Sequence, residues 1–265
     1  MSVGSGGVEY ENEVLRAIKP QIKKIKSIKL KEGASTAAFA ATEPDLVLLM
    51  DGYQINIEIK QDNKAQMGGG SYNYDIKTKK FSLSAKTVID LSIDAKLKEV
   101  LSDKQKDLDK LLNYVKKNDA KLLTEGVKGL PLKATKTMWE ELTREKFLVP
   151  LNAKMQVPYA FLHDHYNKKK CYYIQIGGAG LFYLKKNPLN LPIPQLKIPM
   201  AIELRLGRAG SKMDKTLGVD VASGNIRAQG RLDSKTKIQS PYSLDKPGDF
   251  LKLFGNVSAK DLGNL

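Results

Sequence analysis

The chain holds a single cysteine, Cys171, in 265 residues. One thiol can form neither an internal disulfide nor a cysteine zinc cluster. Histidine is almost as scarce, with only His163 and His165. Both fall in His163-Asp164-His165-Tyr166-Asn167, and no spaced third histidine completes a metal site. Arginine accounts for only six of the 44 basic residues. The net charge of +15 therefore rests on lysine, and it agrees with binding a polyanion without specifying one. No run reaches the roughly 18 apolar residues of a membrane-spanning helix. Residues Met1–Gly7 lack the apolar region of a signal peptide. A soluble, cytoplasmic protein without membrane partners is the expectation. The glycine-rich stretch Ala65–Tyr74 lacks the Gly-Lys-Ser/Thr ending of a phosphate-binding loop, so no nucleotide cofactor is expected.

What the chain does have is a two-faced hairpin. Glu43-Pro44-Asp45 leads into an apolar run ending at Met50, Asp51-Gly52 follows, and Tyr53–Lys60 alternates cleanly before Gln61. Asp-Gly between apolar runs predicts a two-residue turn, because Gly tolerates the positive φ such turns require. That turn pairs Met50 with Tyr53 and, counting back along both strands, sets Asp45 opposite Glu58. Facing Cβ atoms lie about 4.5–5.5 Å apart, close enough for two carboxylates to share a cation. Side chains alternate between faces, so Lys60 joins Glu58, Asn56 and Asp45, among Val47 and Leu49. Leu46, Leu48, Met50, Tyr53, Ile55, Ile57 and Ile59 form the other face, which should pack on a core.

A third carboxylate is marked upstream. Gly7–Ile18 has helical periodicity, with Val8, Val14, Leu15 and Ile18 on one stripe. At about 100° per residue Glu11 falls inside that stripe, whereas Glu9 and Glu13 point to the far side. A carboxylate on an apolar face is costly unless a charge or a metal compensates it.

Together these residues resemble a known group. A Gly-x-x-Tyr-Glu-x-x-Val helix (Gly7, Tyr10, Glu11, Val14), then Pro44-Asp45, then Glu58-x-Lys60 at the end of the next strand resembles the PD-(D/E)XK nuclease superfamily. That superfamily includes restriction endonucleases, Holliday-junction resolvases and phage exonucleases. The likeness covers residues 7–61. It implies that Asp45 and Glu58 bind Mg²⁺, with Mn²⁺ able to substitute, and that Glu11 completes the acidic cluster. It also implies that Lys60 positions or activates the attacking water. Gln61 is implied as a contact to the nucleophile or the scissile phosphate. Magnesium suits such a site because it prefers hard oxygen ligands and keeps several waters.

Downstream, Ala65–Tyr74 reads as a loop that orders on DNA, with Tyr72 and the basic Lys77 and Lys79 as contacts. Residues 84–117 read as helical, with Leu97, Val100, Leu101, Leu108, Leu111, Leu112 and Val115 as an apolar stripe. Gly126, Gly129 and Pro131 interrupt it, and a further helix is predicted over Thr137–Phe147. Cys171–Ile176 and Gly180–Leu184 read as strands joined through Gly177-Gly178. Pro188, Pro192 and Pro194 mark an extended connection. Ile202–Leu206 alternates as another strand, and Arg205 and Arg208 are candidate phosphate or base contacts. The segment after Val221, rich in Gly, Ser and Lys, gives little reason to expect regular structure.

The resulting expectation is an α/β protein: a restriction-endonuclease-like mixed β-sheet flanked by helices, with additional C-terminal α+β elements. Residues 1–125 would carry the N-terminal part of the nuclease core, and residues 126–265 the rest of it with a substrate-recognition region. The expected function is a Mg²⁺-dependent DNA endonuclease, with a homodimer supplying two sites to cut both strands. A structure-selective resolvase or exonuclease is the alternative. A non-catalytic nucleic-acid-binding protein on the same fold is the second.

Overall fold

The structure is a computed structural model that describes residues 5–31, 44–84, 91–103, 105–119, 130–144, 154–208, 212–216, 218–233 and 236–257. Its first elements are α1 (Ser5–Ile22), β1 (Ile28–Leu30), β2 (Leu46–Met50), β3 (Tyr53–Lys60), β4 (Gly68–Asp75) and β5 (Lys80–Leu83). Next come α2 (Leu91–Asp103), α3 (Gln105–Asp119), β6 (Leu130–Thr135), α4 (Lys136–Arg144), β7 (Lys154–Val157) and α5 (Tyr159–Lys168). The last are β8 (Cys171–Ile176), β9 (Gly180–Tyr183), β10 (Met200–Arg208), β11 (Lys212–Asp214), β12 (Val219–Leu232) and α6 (Asp249–Phe254). Among the described residues no helix is long and apolar enough to cross a membrane.

The chain divides into two compact units, each assembled from separate segments. The first comprises residues 1–67, 157–200 and 231–265; the second comprises 68–156 and 201–230. Residues 1–125 and 126–265 thus each contribute to both.

In the first unit a mixed five-stranded sheet runs in the order β1-β2-β3-β8-β9. Its centre is the hairpin, whose register runs from Met50↔Tyr53 to Leu46↔Ile57, as the Asp-Gly turn predicts. Both turn residues take positive φ, 46° at Asp51 and 89° at Gly52. That combination matches the right-handed twist of the strands on either side. On one face Leu46, Leu48, Met50, Ile55, Ile57 and Ile59 are buried against Val14, Leu15 and Ile18 of α1 and the Phe250–Phe254 stack of α6. Tyr53, expected with them, is 43 % exposed and flanks the turn at the closed end of the hairpin. On the other face lies α5, with Phe161, Leu162 and Tyr166 buried.

Strand β8 pairs parallel to β3, so the chain must cross over to reach it. Their register shifts at Tyr172, between the pairs Asn56↔Cys171 and Ile57↔Tyr173. β8 then turns through Gly177-Gly178 into antiparallel β9, as the glycines indicate.

The second unit is built on a seven-stranded sheet ordered β5-β4-β12-β10-β7, with β11 and β6 also pairing β12. Two sequence expectations are corrected there. Residues 65–74 are no loop: most of them form β4, which pairs with β12 from Gly68↔Gly230 to Tyr72↔Ile226. A Cβ on Gly69 would sit 2.0 Å from the Ala228 carbonyl oxygen, so the glycines serve close strand approach. Of the segment after Val221, the described residues include most of the 14-residue β12 and later, in the first unit, α6. In β12 the buried Ala222, Gly224, Ile226, Ala228, Gly230 and Leu232 alternate with Ser223, Asn225, Arg227, Gln229 and Arg231, an apolar pattern diluted by glycine and alanine. The predicted helix over 84–117 resolves into α2 and α3, and the one over Thr137–Phe147 into α4, Phe147 itself lying outside the described residues. Glu43, Gly126 and Gly129 also lie outside them.

Candidate active site

Asp45 lies just before β2 and Glu58 just past Ile57, each one residue beyond the Leu46↔Ile57 pair that ends the hairpin register. Asp45 Oδ2 accepts the main-chain N–H of Ile59 at 2.8 Å, which fixes the carboxylate against β3. Glu58 is only 3 % exposed. Lys60, two residues on and so on the same face, places Nζ 2.5 Å from Glu58 Oε1 and 3.6 Å from Asp45 Oδ2. The ammonium therefore bridges both carboxylates. A second lysine, Lys169, stands just past the end of α5 with Nζ 3.7 Å from Glu58 Oε2. That separation exceeds hydrogen-bond distance, and Oε2 is buried without a hydrogen-bond partner.

Helix α1 brings the third acid. Glu11 is half-buried, whereas Glu9 and Glu13 are exposed, as the helical periodicity requires. Burial, followed by the charge of Asp45, raises its pKa from 4.5 to about 7, with Lys60 pulling the other way. Asp45 is raised too, by burial and then by Glu58; Lys60, the Ile59 N–H and Lys169 oppose this. For Lys60 burial acts to lower the pKa, but the charges of Glu58 and Asp45 outweigh it and the net shift is upward. Tyr166 of α5 borders the same charges. Burial first, then Glu58 and Asp45, push its phenol well above its ordinary value.

Gln61 continues from Lys60 at the same end of the sheet, exposed. Its surroundings are shaped by two glycines. A Cβ on Gly177 would sit 2.0 Å from the Gln61 carbonyl oxygen, and one on Gly6 would sit 2.6 Å from Gln61 Oε1. The Gln61 amide thus lies against the first turn of α1. Below it, Tyr10 donates to Asp245 Oδ2 at 2.6 Å and accepts from Gln175 Nε2 at 2.9 Å, tying α1 to β8 and to the segment before α6.

Glu11, Asp45, Glu58, Lys60 and Gln61 are therefore brought together in the first unit. The expected DNA contacts belong to the second. Tyr72 is corrected from ligand contact to core: it is fully buried and its hydroxyl donates to Asp94 Oδ1 at 3.1 Å. Lys77 and Lys79 are exposed, Lys79 paired with Asp109 at 3.2 Å. Arg205 is paired with Glu203, and the side chain of Arg208 lies outside the described residues. His163 is a core residue whose Nε2 bonds the Leu196 carbonyl oxygen at 2.8 Å, and burial lowers its pKa.

Sequence reasoning missed Lys169 and Tyr166 as neighbours of the carboxylates. Lys169 sits in a run of three lysines in a lysine-rich chain, and nothing local distinguishes it. Only its position after a buried helix facing the hairpin could have marked it.

Chemically, the site concentrates hard oxygen donors and ammonium groups at one end of a sheet. Among the described residues no three Asp, Glu, His or Cys side chains stand close enough to hold a metal ion as a closed cage. Magnesium needs only one or two carboxylates and keeps its waters, so the facing Asp45 and Glu58, with Oε2 orphaned, fit it. Compared with protein-family models, with curated proteins and with solved structures, the chain matches none.

Proposed function

We propose that this protein is a Mg²⁺-dependent nuclease that hydrolyses phosphodiester bonds in DNA through Asp45, Glu58, Lys60 and Glu11. The observation that carries the reading is one buried carboxylate, Glu58, facing Asp45, bridged to it by Lys60 and left with an unsatisfied oxygen. Stability alone is a poor reason for such a cluster. Desolvating each ion costs several kcal/mol, and apolar replacements of buried ion pairs are often neutral or stabilising. Strongly shifted titratable groups gathered at one place are a mark of functional sites. The mixed sheet with helices on both faces supports the restriction-endonuclease-like reading of the first unit, and the charge of +15 supports a polyanionic substrate.

In this mechanism Asp45 and Glu58 would hold the cation, with Glu11 completing the acidic set. Bound there, magnesium supplies Lewis acidity toward the phosphate and toward water. Lys60 orients the attacking water and sets a positive charge beside the phosphorus centre, where negative charge develops. The Ile59 N–H holds Asp45 in place throughout. Gln61, exposed next to Lys60, is within the same end of the sheet and able to contact the nucleophile or the phosphate. A homodimer would let two such sites cut both strands.

Supercoiled plasmid incubated with the protein and Mg²⁺ or Mn²⁺ tests this. Nicking or linearisation is expected, and loss of it in Asp45→Ala and in EDTA. Linear and branched DNA in parallel separate an endonuclease from a resolvase or exonuclease. Binding without cutting on every substrate would replace the catalytic reading with a non-catalytic DNA-binding one.

A further inference from the structure

Glu58 is flanked by two ammonium groups, and only one belongs to the strand motif. Lys60 holds Oε1 at hydrogen-bond distance, whereas Lys169 stops 3.7 Å short of Oε2. Lys169 is nevertheless firmly built in. Its N–H donates to the Tyr166 carbonyl at 3.0 Å, and its own carbonyl accepts from Asn56 Nδ2 at 3.3 Å, pinning the end of α5 to β3. Its ammonium lies 5.4 Å from the centroid of the buried Tyr166 ring. The side chain is 15 % exposed, so it is enclosed but retains a path to solvent. The ammonium pairs electrostatically with Glu58 Oε2 without hydrogen-bonding it, and among the described residues no acceptor takes its N–H groups.

The charge balance shows another use. Three carboxylates, Glu11, Asp45 and Glu58, stand near two lysines, Lys60 and Lys169. A divalent cation on the carboxylates leaves a positive excess, one charge with Glu11 ionised and two with it protonated, which phosphodiester groups would offset. A lysine is a point charge with three rotatable donors, suited to phosphate oxygens.

We propose that Lys169 is a phosphate anchor of this site, its ammonium exchanging the neighbourhood of Glu58 for non-bridging oxygens of the bound DNA strand. The proposal rests on the nuclease reading. It makes Lys169 a substrate-binding residue contributed by the α5–β8 junction, outside the hairpin motif.

The test is binding of a fluorescent DNA duplex, followed by anisotropy over a range of salt with Ca²⁺ as the added ion, and with a gel to confirm the duplex stays intact. Lys169→Gln is expected to weaken binding and to lower the slope of log affinity against log salt by about 0.9, the share of one phosphate contact. Lys169→Arg should keep the slope. An unchanged slope and affinity with a lowered unfolding midpoint would mean that Lys169 only neutralises Glu58, and would overturn the proposal. If Lys169→Gln does not fold, Glu58→Gln with Lys169→Gln is compared with Glu58→Gln alone. The same slope difference supports the anchor, and its absence overturns it. The wild type separates the two readings. If it binds and cuts while the variants keep its slope, only the anchor falls. If it neither binds nor cuts DNA, the nuclease reading falls and the anchor with it.

Discussion

Two charged clusters in this molecule use similar groups in opposite settings. In the second unit Arg205 grips Glu203 through Nη2 at 2.8 Å and Nε at 3.2 Å, with half of the arginine side chain exposed. In the first, Lys60 grips Glu58 at 2.5 Å with 3 % of the glutamate exposed and Asp45 alongside. Arg205 is half exposed and keeps part of its hydration, so its pair costs less to form and contributes on the order of 1 kcal/mol. The buried set has lost its water, and its attraction must first offset desolvation. Both pairs stand two residues apart on a strand, and in the Arg205–Glu203 pair the arginine reaches solvent. The other persists against an energetic gradient, which is why it reads as a site.

The contrast is easiest to break at Lys60. Lys60→Met leaves Asp45 and Glu58 facing each other in a buried setting with Lys169 alone to compensate. A loss of about 3 kcal/mol at neutral pH is expected from the urea unfolding midpoint, together with loss of DNA cutting. A loss below about 1 kcal/mol would put this cluster in the same class as the surface pair.

Glu11 sharpens the comparison through pH. Below 4.5 its carboxyl is protonated in both folded and unfolded chains and contributes no pH dependence. Between 4.5 and about 7 the unfolded chain releases the proton while the folded chain retains it, so stability falls as pH rises. Above about 7 the penalty is complete and the dependence flattens. Relative to Glu11→Gln, the wild type should lose stability across that window, and unfolding curves at pH steps spanning it would show the slope. A wild type that instead gains stability there would mean Glu11 is held by a cation and not crowded by Asp45.

The smallest effect belongs to the surface. Arg205→Ala should change the unfolding midpoint by no more than about 0.5 kcal/mol, measured by thermal denaturation at moderate salt. A larger loss would show that Glu203, which is only 15 % exposed, depends on its arginine more than an exposed pair should.

Much of the site was legible because it is local. Asp51-Gly52 sets the turn, the turn sets the register, and alternation then assigns Glu58 and Lys60 to one face and the isoleucines to the other. Helical periodicity likewise separates Glu11 from Glu9 and Glu13. Where the reading failed, glycine was taken at face value. In β4 glycines allow backbone contact with β12, and in Tyr72 an aromatic beside them is a core residue hydrogen-bonded to Asp94. The first depends on a partner strand more than a hundred residues away and the second on a helix 22 residues on, and local propensity reports neither.

By itself, then, the sequence determined the hairpin, its facing carboxylates and the inward turn of Glu11, since backbone dihedrals and side-chain periodicity act over neighbouring residues. Tertiary structure alone decided which groups surround those carboxylates. The parallel crossover from β3 to β8 carries α5 over the hairpin, bringing Tyr166 and Lys169 to Glu58 and burying it. That burial and those charges shift the titrations of Glu11, Asp45 and Lys60, and neither exists until residues far apart in the chain share one low-dielectric volume.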